Sequence, residues 1–227
     1  MEYKSVYEGK FLSRPNRFIA EVEIEGKTVF CHVKNTGRCR ELLIKGAEVY
    51  LEKAENPLRK TKYSLVAVKK GESLFNIDSA APNAVFGEWI EKGGFFGKVS
   101  HVKPECTYKN ARFDFYIEAE GRKIFVEVKG VTLEDDGTVL FPDAPTERGV
   151  KHLHHLIAAK AEGYESFVFF IAKTEKAKHF MPNRAAHPAF AGALLKAAAE
   201  GVGVYCLNCT VLPHALHIRD FVPVQLS

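Results

Sequence analysis

The apolar periodicity of the 227-residue chain changes once, near residue 79, and that change limits the folds open to it. Before it, short runs alternate apolar and polar residues with the period of two that a half-buried strand requires. Residues 18–24, 28–33, 46–52, 62–68 and 73–77 are five such runs, the first two separated by the turn Glu25-Gly26-Lys27. Five closely spaced strands in about 75 residues predict a small Greek-key barrel of the OB type over residues 1–78. After residue 79 the runs lengthen and mix in helical spacing. Helices are expected over 82–92, 146–161 and 189–200, stopped by Gly93-Gly94, Gly163 and Gly201, and strands over 112–118, 123–129, 166–172 and 202–207. The order helix, strand, strand, helix, strand, helix, strand predicts a mixed α/β domain over 79–227, its sheet covered by helices.

Charge gives the two parts different partners. Residues 1–78 hold 15 Lys and Arg against 11 Asp and Glu, whereas residues 79–227 hold 17 of each, so the whole net charge of +4 sits on the barrel. That asymmetry points to a polyanion as the barrel's ligand. No apolar run nears the roughly 20 residues of a membrane span, so no membrane partner is expected. Met1-Glu2-Tyr3-Lys4 lacks the basic-then-apolar pattern of a secretory signal, and five cysteines do not make a disulfide framework. A cytoplasmic chain with reduced thiols is the expectation.

The residues that carry chemistry lie on the first two strands of the second half. Glu127 and Lys129, two apart on a strand, project from one face while Val126 and Val128 enter the core. Asp114 lies 13 positions before Glu127 on the preceding strand, sharing a face with Arg112 and opposite Phe113 and Phe115. A hairpin sets Asp114 beside Glu127, and two carboxylates on rigid strands suit a hard cation, Mg²⁺ or Mn²⁺. With Lys129 to orient a water or meet a phosphate, the set Asp114, Glu127 and Lys129 is equipped for metal-assisted phosphodiester hydrolysis. Further along, Thr146 is a helix N-cap. Arg148, Lys151 and His152 then fall on the first turns, where the dipole favours anions, and are expected to contact phosphate.

The succession of helix, strand with Asp, strand with Glu-x-Lys and helix resembles the PD-(D/E)XK nuclease superfamily. That resemblance implies a further acidic metal ligand from the first helix, for which Glu88 is the candidate and Glu105 the rival. A second resemblance is more specific. Residues 141–152, Phe-Pro-Asp-Ala-Pro-Thr-Glu-Arg-Gly-Val-Lys-His, match the FPDA-x-T-x-RG-x-KH signature of the sugar fermentation stimulation protein A family. Gly9, the runs 12–18 and 32–38, Pro82-Asn83, Glu105 with Tyr108, Arg112-x-Asp114-Phe115 and residues 126–129 follow in that family's order, over nearly the full length. The resemblance implies an OB-like domain followed by a nuclease-like domain, nucleic-acid binding, a nuclease activity and a link to the regulation of sugar utilisation. His187 departs from it, standing where the family usually has an acidic residue.

In the barrel, Arg14, Arg17, Asn35 and Arg38 are the expected nucleic-acid contacts. The cations lie in turns among Phe18, Phe30 and Tyr63, and Asn35-Thr36-Gly37-Arg38 can present backbone N–H groups and an Arg to a phosphate. Cys206-x2-Cys209 with His214 and His217 lacks the spacing of the usual zinc sites and is set aside. The reading is a DNA-binding protein, with RNA an open alternative, that hydrolyses the backbone using Mg²⁺ or Mn²⁺. Its rival is a DNA-binding transcriptional regulator without catalysis.

Overall fold

The computed structural model describes residues 1–35, 37 and 39–226. Its first half is a closed barrel built from β1 (Val6–Asn16), β2 (Ile19–Ile24), β3 (Lys27–Val33), β4 (Glu48–Lys53) and β5 (Tyr63–Lys70), with β6 (Ser73–Asn76) added beside β5. The order β3-β2-β1-β4-β5 closes through a parallel β3–β5 pairing, Cys31 opposite Tyr63 to Val33 opposite Leu65. The β2–β3 hairpin turns at Glu25-Gly26, both at positive φ (49° and 74°), as a tight two-residue turn requires. Alternation sends Ala20, Val22, Ile24, Leu51, Leu65 and Phe75 into one core.

β1 was not among the expected strands, and it is the staple of the barrel, pairing with both β2 and β4. Gly9 explains how it fits: a Cβ there would lie 2.6 Å from Val22 Cγ1 and 2.8 Å from the Glu23 carbonyl. The expected first strand also starts one residue late, which leaves Phe18 outside the core at the β1–β2 turn.

The second half comprises α1 (Ala81–Glu91), β7 (Val99–Tyr108), β8 (Ala111–Ala119), β9 (Arg122–Val131), β10 (Leu133–Asp135), β11 (Thr138–Phe141), α2 (Glu147–Ala161), β12 (Glu165–Ala172), β13 (His179–Pro182), α3 (Pro188–Ala199), β14 (Gly203–Leu212) and β15 (Ala215–Val222). Its main sheet has the order β15-β14-β12-β9-β8-β7, parallel from β9 through β12 to β14 and antiparallel elsewhere. α2 and α3 cover one face with Leu153, Leu156, Phe190 and Leu194, and α1 covers the other with Val85, Phe86 and Ile90. A small sheet β10-β11-β13 flanks it. The expected helices and strands are present. β7, β10, β11, β13 and β15 are additional.

Cys206 lies in the core under α2 and α3, whereas Cys209, three residues on along β14, lies in the core under α1. Opposite faces of one sheet cannot share a metal ion, so the pair is packing. The two halves are joined by backbone. The Asn76 backbone amide donates to the Lys173 carbonyl (3.0 Å) and the Ser79 amide to the Lys34 carbonyl (3.1 Å).

Candidate active site

The β8–β9 ladder runs regularly from Ala119 opposite Arg122 to Phe115 opposite Val126, and there its pairing ends. Asp114 takes over: its Oδ2 accepts the Val128 amide at 2.8 Å, so a side chain replaces the next rung. On the other side, the β7–β8 ladder keeps its register from Pro104–Phe115 to Cys106–Phe113 but omits the rung between them, where Glu105 at positive φ (51°) stands opposite Asp114. Phe113 and Phe115, on either side of that gap, do not share a face as expected. Phe113 stacks on Phe125 (ring centroids 4.4 Å apart) under α2, and Phe115 packs on Phe86 (5.3 Å) under α1. Asp114 lies at this fork, where its Oδ1 accepts from Asn83 Nδ2 of α1 at 3.0 Å.

Glu127 is 1% exposed. One of its oxygens, Oε1, is held by Lys129 Nζ and by His152 Nδ1 of α2. The Arg148 Nε–H donates to His152 Nε2 at 3.2 Å, which places the imidazole proton on Nδ1, facing Glu127. The other carboxylate oxygen, Oε2, is buried and has no hydrogen-bond partner. Burial pushes the Glu127 carboxyl towards the neutral form, but the His152 hydrogen bond and the Lys129 charge more than offset it, and its pKa falls below the ordinary value. Asp114 moves the opposite way. Burial and then the Glu127 charge raise its pKa, opposed by Lys129 and by its two hydrogen bonds. Two carboxylates pushed apart in this way repel at short range, and a cation between them removes the repulsion. No group of three or more His, Cys, Asp and Glu side chains suited to a metal forms among the described residues. The donor set is therefore a carboxylate pair with one orphaned oxygen, which fits a hard cation that keeps several waters.

The structure thus brings Asp114, Glu127 and Lys129 together, and moves several other expected residues away from the roles given them. Glu88 does not reach the site. It lies five positions beyond Asn83, on a different side of α1, where its carboxylate accepts from the Met1 amine at 2.8 Å. The helix meets Asp114 with Asn83 instead. Glu105 is exposed and paired with Arg112 (2.5 Å). His152 is committed to Glu127 and Arg148 rather than turned out towards phosphate, while Arg148 and Lys151 are exposed on the first turns of α2. Thr146 caps α2, accepting the Gly149 amide at 3.0 Å, and His187 Nδ1 accepts the Thr146 amide at 3.3 Å.

In the barrel, Arg14 organises turns: its guanidinium donates to the carbonyls of Gly37 (2.8 Å), Arg17 (2.7 Å) and Asn35 (2.6 Å). Asn35 is likewise occupied, accepting from the Gly37 amide and donating to the Ile77 carbonyl. Arg17 lies over the Phe18 ring at 4.9 Å. Arg38 falls outside the described residues. Of the aromatic rings expected among the barrel cations, Phe18 (46%) and Phe30 (58%) are exposed and Tyr63 packs partly against the barrel core; Leu58 (89%), which no sequence signal marked, is exposed as well. The three exposed side chains lie on the β1–β2 turn, the outer side of β3 and the β4–β5 loop, the surfaces with which OB barrels hold oligonucleotides.

Comparison with known proteins agrees with this architecture. Residues 12–77 match the SfsA N-terminal OB domain, and residues 80–215 match the sugar fermentation stimulation protein RE domain. A sugar fermentation stimulation protein homolog of Desulfitobacterium hafniense (strain Y51) is 57% identical over 226 residues, covering 100% of this chain and 99% of the relative. The chain belongs to the sugar fermentation stimulation protein family. A second homolog in the family, from Clostridium beijerinckii, is 52% identical over 226 residues, with 100% of both chains covered. The structure of Pyrococcus furiosus SfsA in complex with Ca²⁺ superposes with a TM-score of 0.89 at 27% identity, over 99% of this chain and 98% of that one. The mixed α/β architecture with its leading OB barrel is therefore the family's. No helix in the described residues is long and apolar enough to cross a membrane.

Proposed function

We propose that this member of the family is a metal-dependent nuclease that grips nucleic acid, DNA in the first instance, with its barrel and hydrolyses the backbone at Asp114 and Glu127. The observation that carries the proposal is the buried, partnerless Oε2 of Glu127 beside a second carboxylate. Leaving a charged oxygen buried and unsatisfied is costly unless something binds it. Asp114 and Glu127 would hold Mg²⁺ or Mn²⁺, and the crystallised Pyrococcus furiosus relative was solved with a divalent cation, Ca²⁺. Such an ion, when bound, polarises a phosphoryl oxygen and lowers the pKa of its water. Lys129 shares the face of Glu127 and orients the attacking water or meets charge on the phosphate. His152 fixes Glu127 Oε1, and Arg148 and Lys151 attract the phosphate at the start of α2.

The barrel stands where such a substrate needs it. Its turn at Asn35 and Gly37 comes so close to the residues preceding α2 that a Cβ on Gly37 would lie 2.9 Å from Asp143 Oδ2. Arg17 and Phe18 are tied to that turn through Arg14. A strand stacked on Phe18 and Phe30 is thereby led towards α2 and the carboxylates.

The test is incubation of purified protein with labelled single- and double-stranded DNA and RNA in Mg²⁺, Mn²⁺ or EDTA. Cleavage that needs the metal and disappears in Glu127→Ala supports the proposal. Tight binding with no cleavage in either metal, unchanged by that substitution, replaces it with a non-catalytic regulator.

A further inference from the structure

Among the described residues, α1 reaches the carboxylate pair through a single side chain, that of Asn83, whose Nδ2–H donates to Asp114 Oδ1 at 3.0 Å. Asn83 stands where the nuclease-type arrangement calls for an acidic ligand from the first helix, and it is a neutral amide. Asp114 does not depend on this bond for its place, because the Val128 amide already holds its Oδ2 at 2.8 Å. Asn83 is half-buried, and its own carbonyl oxygen, Oδ1, has no hydrogen-bond partner among the described residues. An acceptor therefore stands beside two carboxylates with nothing assigned to it.

The packing around Asn83 holds it there. Gly130, at the end of β9, lets the start of α1 come close: a Cβ on Gly130 would lie 2.6 Å from Pro82 Cγ and 3.5 Å from Cε of the buried Lys173. At the entry to the helix the Ala80 amide donates to Asp78 Oδ1 at 2.9 Å, and one turn on from Asn83 the Phe86 ring packs on Phe115 (centroids 5.3 Å apart). The first turn of α1 is thus fixed against the two strands that carry Asp114 and Glu127.

A primary amide has a donor end and an acceptor end, and a half-turn about Cβ–Cγ exchanges them. That turn brings Oδ1 to the place of Nδ2, which lies 3.0 Å from Asp114 Oδ1. Two oxygens bound side by side on an octahedral cation, with metal–oxygen bonds of about 2.0–2.1 Å, are also about 3.0 Å apart. A cation on Asp114 repels the N–H end of the amide and attracts its carbonyl, so the ion itself drives the turn. Charge favours an amide as well. Asp114 and Glu127 together cancel a divalent cation, whereas a third carboxylate would leave the loaded site negative towards a phosphate. We propose that Asn83 is the third protein ligand of the metal site, its side-chain carbonyl turning to the cation held by Asp114 and Glu127. This rests on the metal reading of that carboxylate pair.

The experiment uses the full-length protein and Mn²⁺ alone, with no nucleic acid. Calorimetric titration gives the affinity. The broadening of the Mn²⁺ EPR line by water enriched in oxygen-17 counts the waters on the bound ion. Asn83→Leu, close to the amide in size but without an oxygen, should weaken Mn²⁺ binding about tenfold or more and add one water to the ion. Asn83→Asp, which restores an oxygen, should return the water count to that of the native chain. If Asn83→Leu does not fold, Gly130→Ala decides in its place: it leaves the Asn83 side chain intact, pushes Pro82 away and should likewise add a water. Weaker binding with an unchanged water count would make Asn83 a support of Asp114 alone and overturn the proposal, as would native affinity in the deciding variant. Glu127→Gln tests the underlying reading separately and should abolish binding. If the native chain takes up no Mn²⁺, or Glu127→Gln takes it up equally well, the metal site at Asp114 and Glu127 fails and the role of Asn83 falls with it.

Discussion

Glu127 shows how much one residue's surroundings decide. Strand alternation alone puts it on the face of Lys129, and that part of the site was legible in the sequence. What holds it was not, because His152 reaches it only when α2 packs across β9. A tether of this kind fixes one carboxylate oxygen and leaves the other for the cation proposed there. His152→Ala is therefore expected to weaken Mn²⁺ or Ca²⁺ binding by about 10- to 100-fold, as loss of a ligand's supporting bond generally does. His152→Asn, which keeps an N–H donor, should recover part of it. Isothermal titration with the metal alone reads both, and equal affinity in His152→Ala and the native chain would show that the tether does not matter. Lys173 offers a separate test at this scale. Its pKa is about 8 when folded against 10.5 ordinarily. Between those values the unfolded chain binds more protons, so this residue's penalty is complete below pH 8 and fades as pH rises. Relative to Lys173→Met, the native protein should gain on the order of 3 kcal/mol of stability between pH 7 and about 10.5. Urea unfolding of both proteins at the two pH values measures the difference, and parallel stabilities would mean that Lys173 is not desolvated in solution.

At the scale of elements, the decisive feature is the fork at which β8 and β9 stop pairing. Nothing in the pattern Arg112-Phe113-Asp114-Phe115 announces it, since the two Phe read as one face of a regular strand. The missing β7–β8 rung at Glu105 and the α1 contact through Asn83 accompany it, and both depend on neighbours distant in sequence. β7 was hidden for a related reason: nearly all of Val99–Tyr108 is exposed or half-exposed at a sheet edge, and it contains Pro104, so no apolar alternation marks it. β1 is interrupted by Gly9 and several charges although it is central to the barrel. The helix carrying Arg148, Lys151 and His152 was legible because its start is chemically marked. Thr146 accepts the Gly149 amide and is itself held by His187, which fixes the first turn of α2 over Glu127. Thr146→Ala should cost about 1 kcal/mol of stability, within the usual range for an N-cap, and Thr146→Ser much less. Chemical denaturation checks this, and equal stability of the Ala and Ser variants would remove the cap from the account.

For the molecule as a whole, the placement of charge and of exposed aromatic rings matters more than the net +4. The barrel carries that entire excess, and its outer face sets Phe18, Phe30 and Leu58 among Arg17, Arg59 and Lys60. Apolar side chains left in water on a cationic surface are what a barrel needs to stack unpaired bases while it follows their phosphates. Duplex bases are already stacked on one another and offer these rings little, so the two kinds of ligand should respond differently to their removal. Phe18→Ala and Phe30→Ala are each expected to weaken single-stranded DNA binding by about 1 to 3 kcal/mol, with a much smaller effect on duplex binding. Reversing charge by Arg17→Glu should instead weaken both and flatten the dependence of affinity on salt, since phosphate contacts release counterions whatever the strandedness. Anisotropy titrations at several salt concentrations separate the two effects. If the Phe variants lower single- and double-stranded affinity equally, the rings are not stacking platforms, and the barrel contributes charge alone.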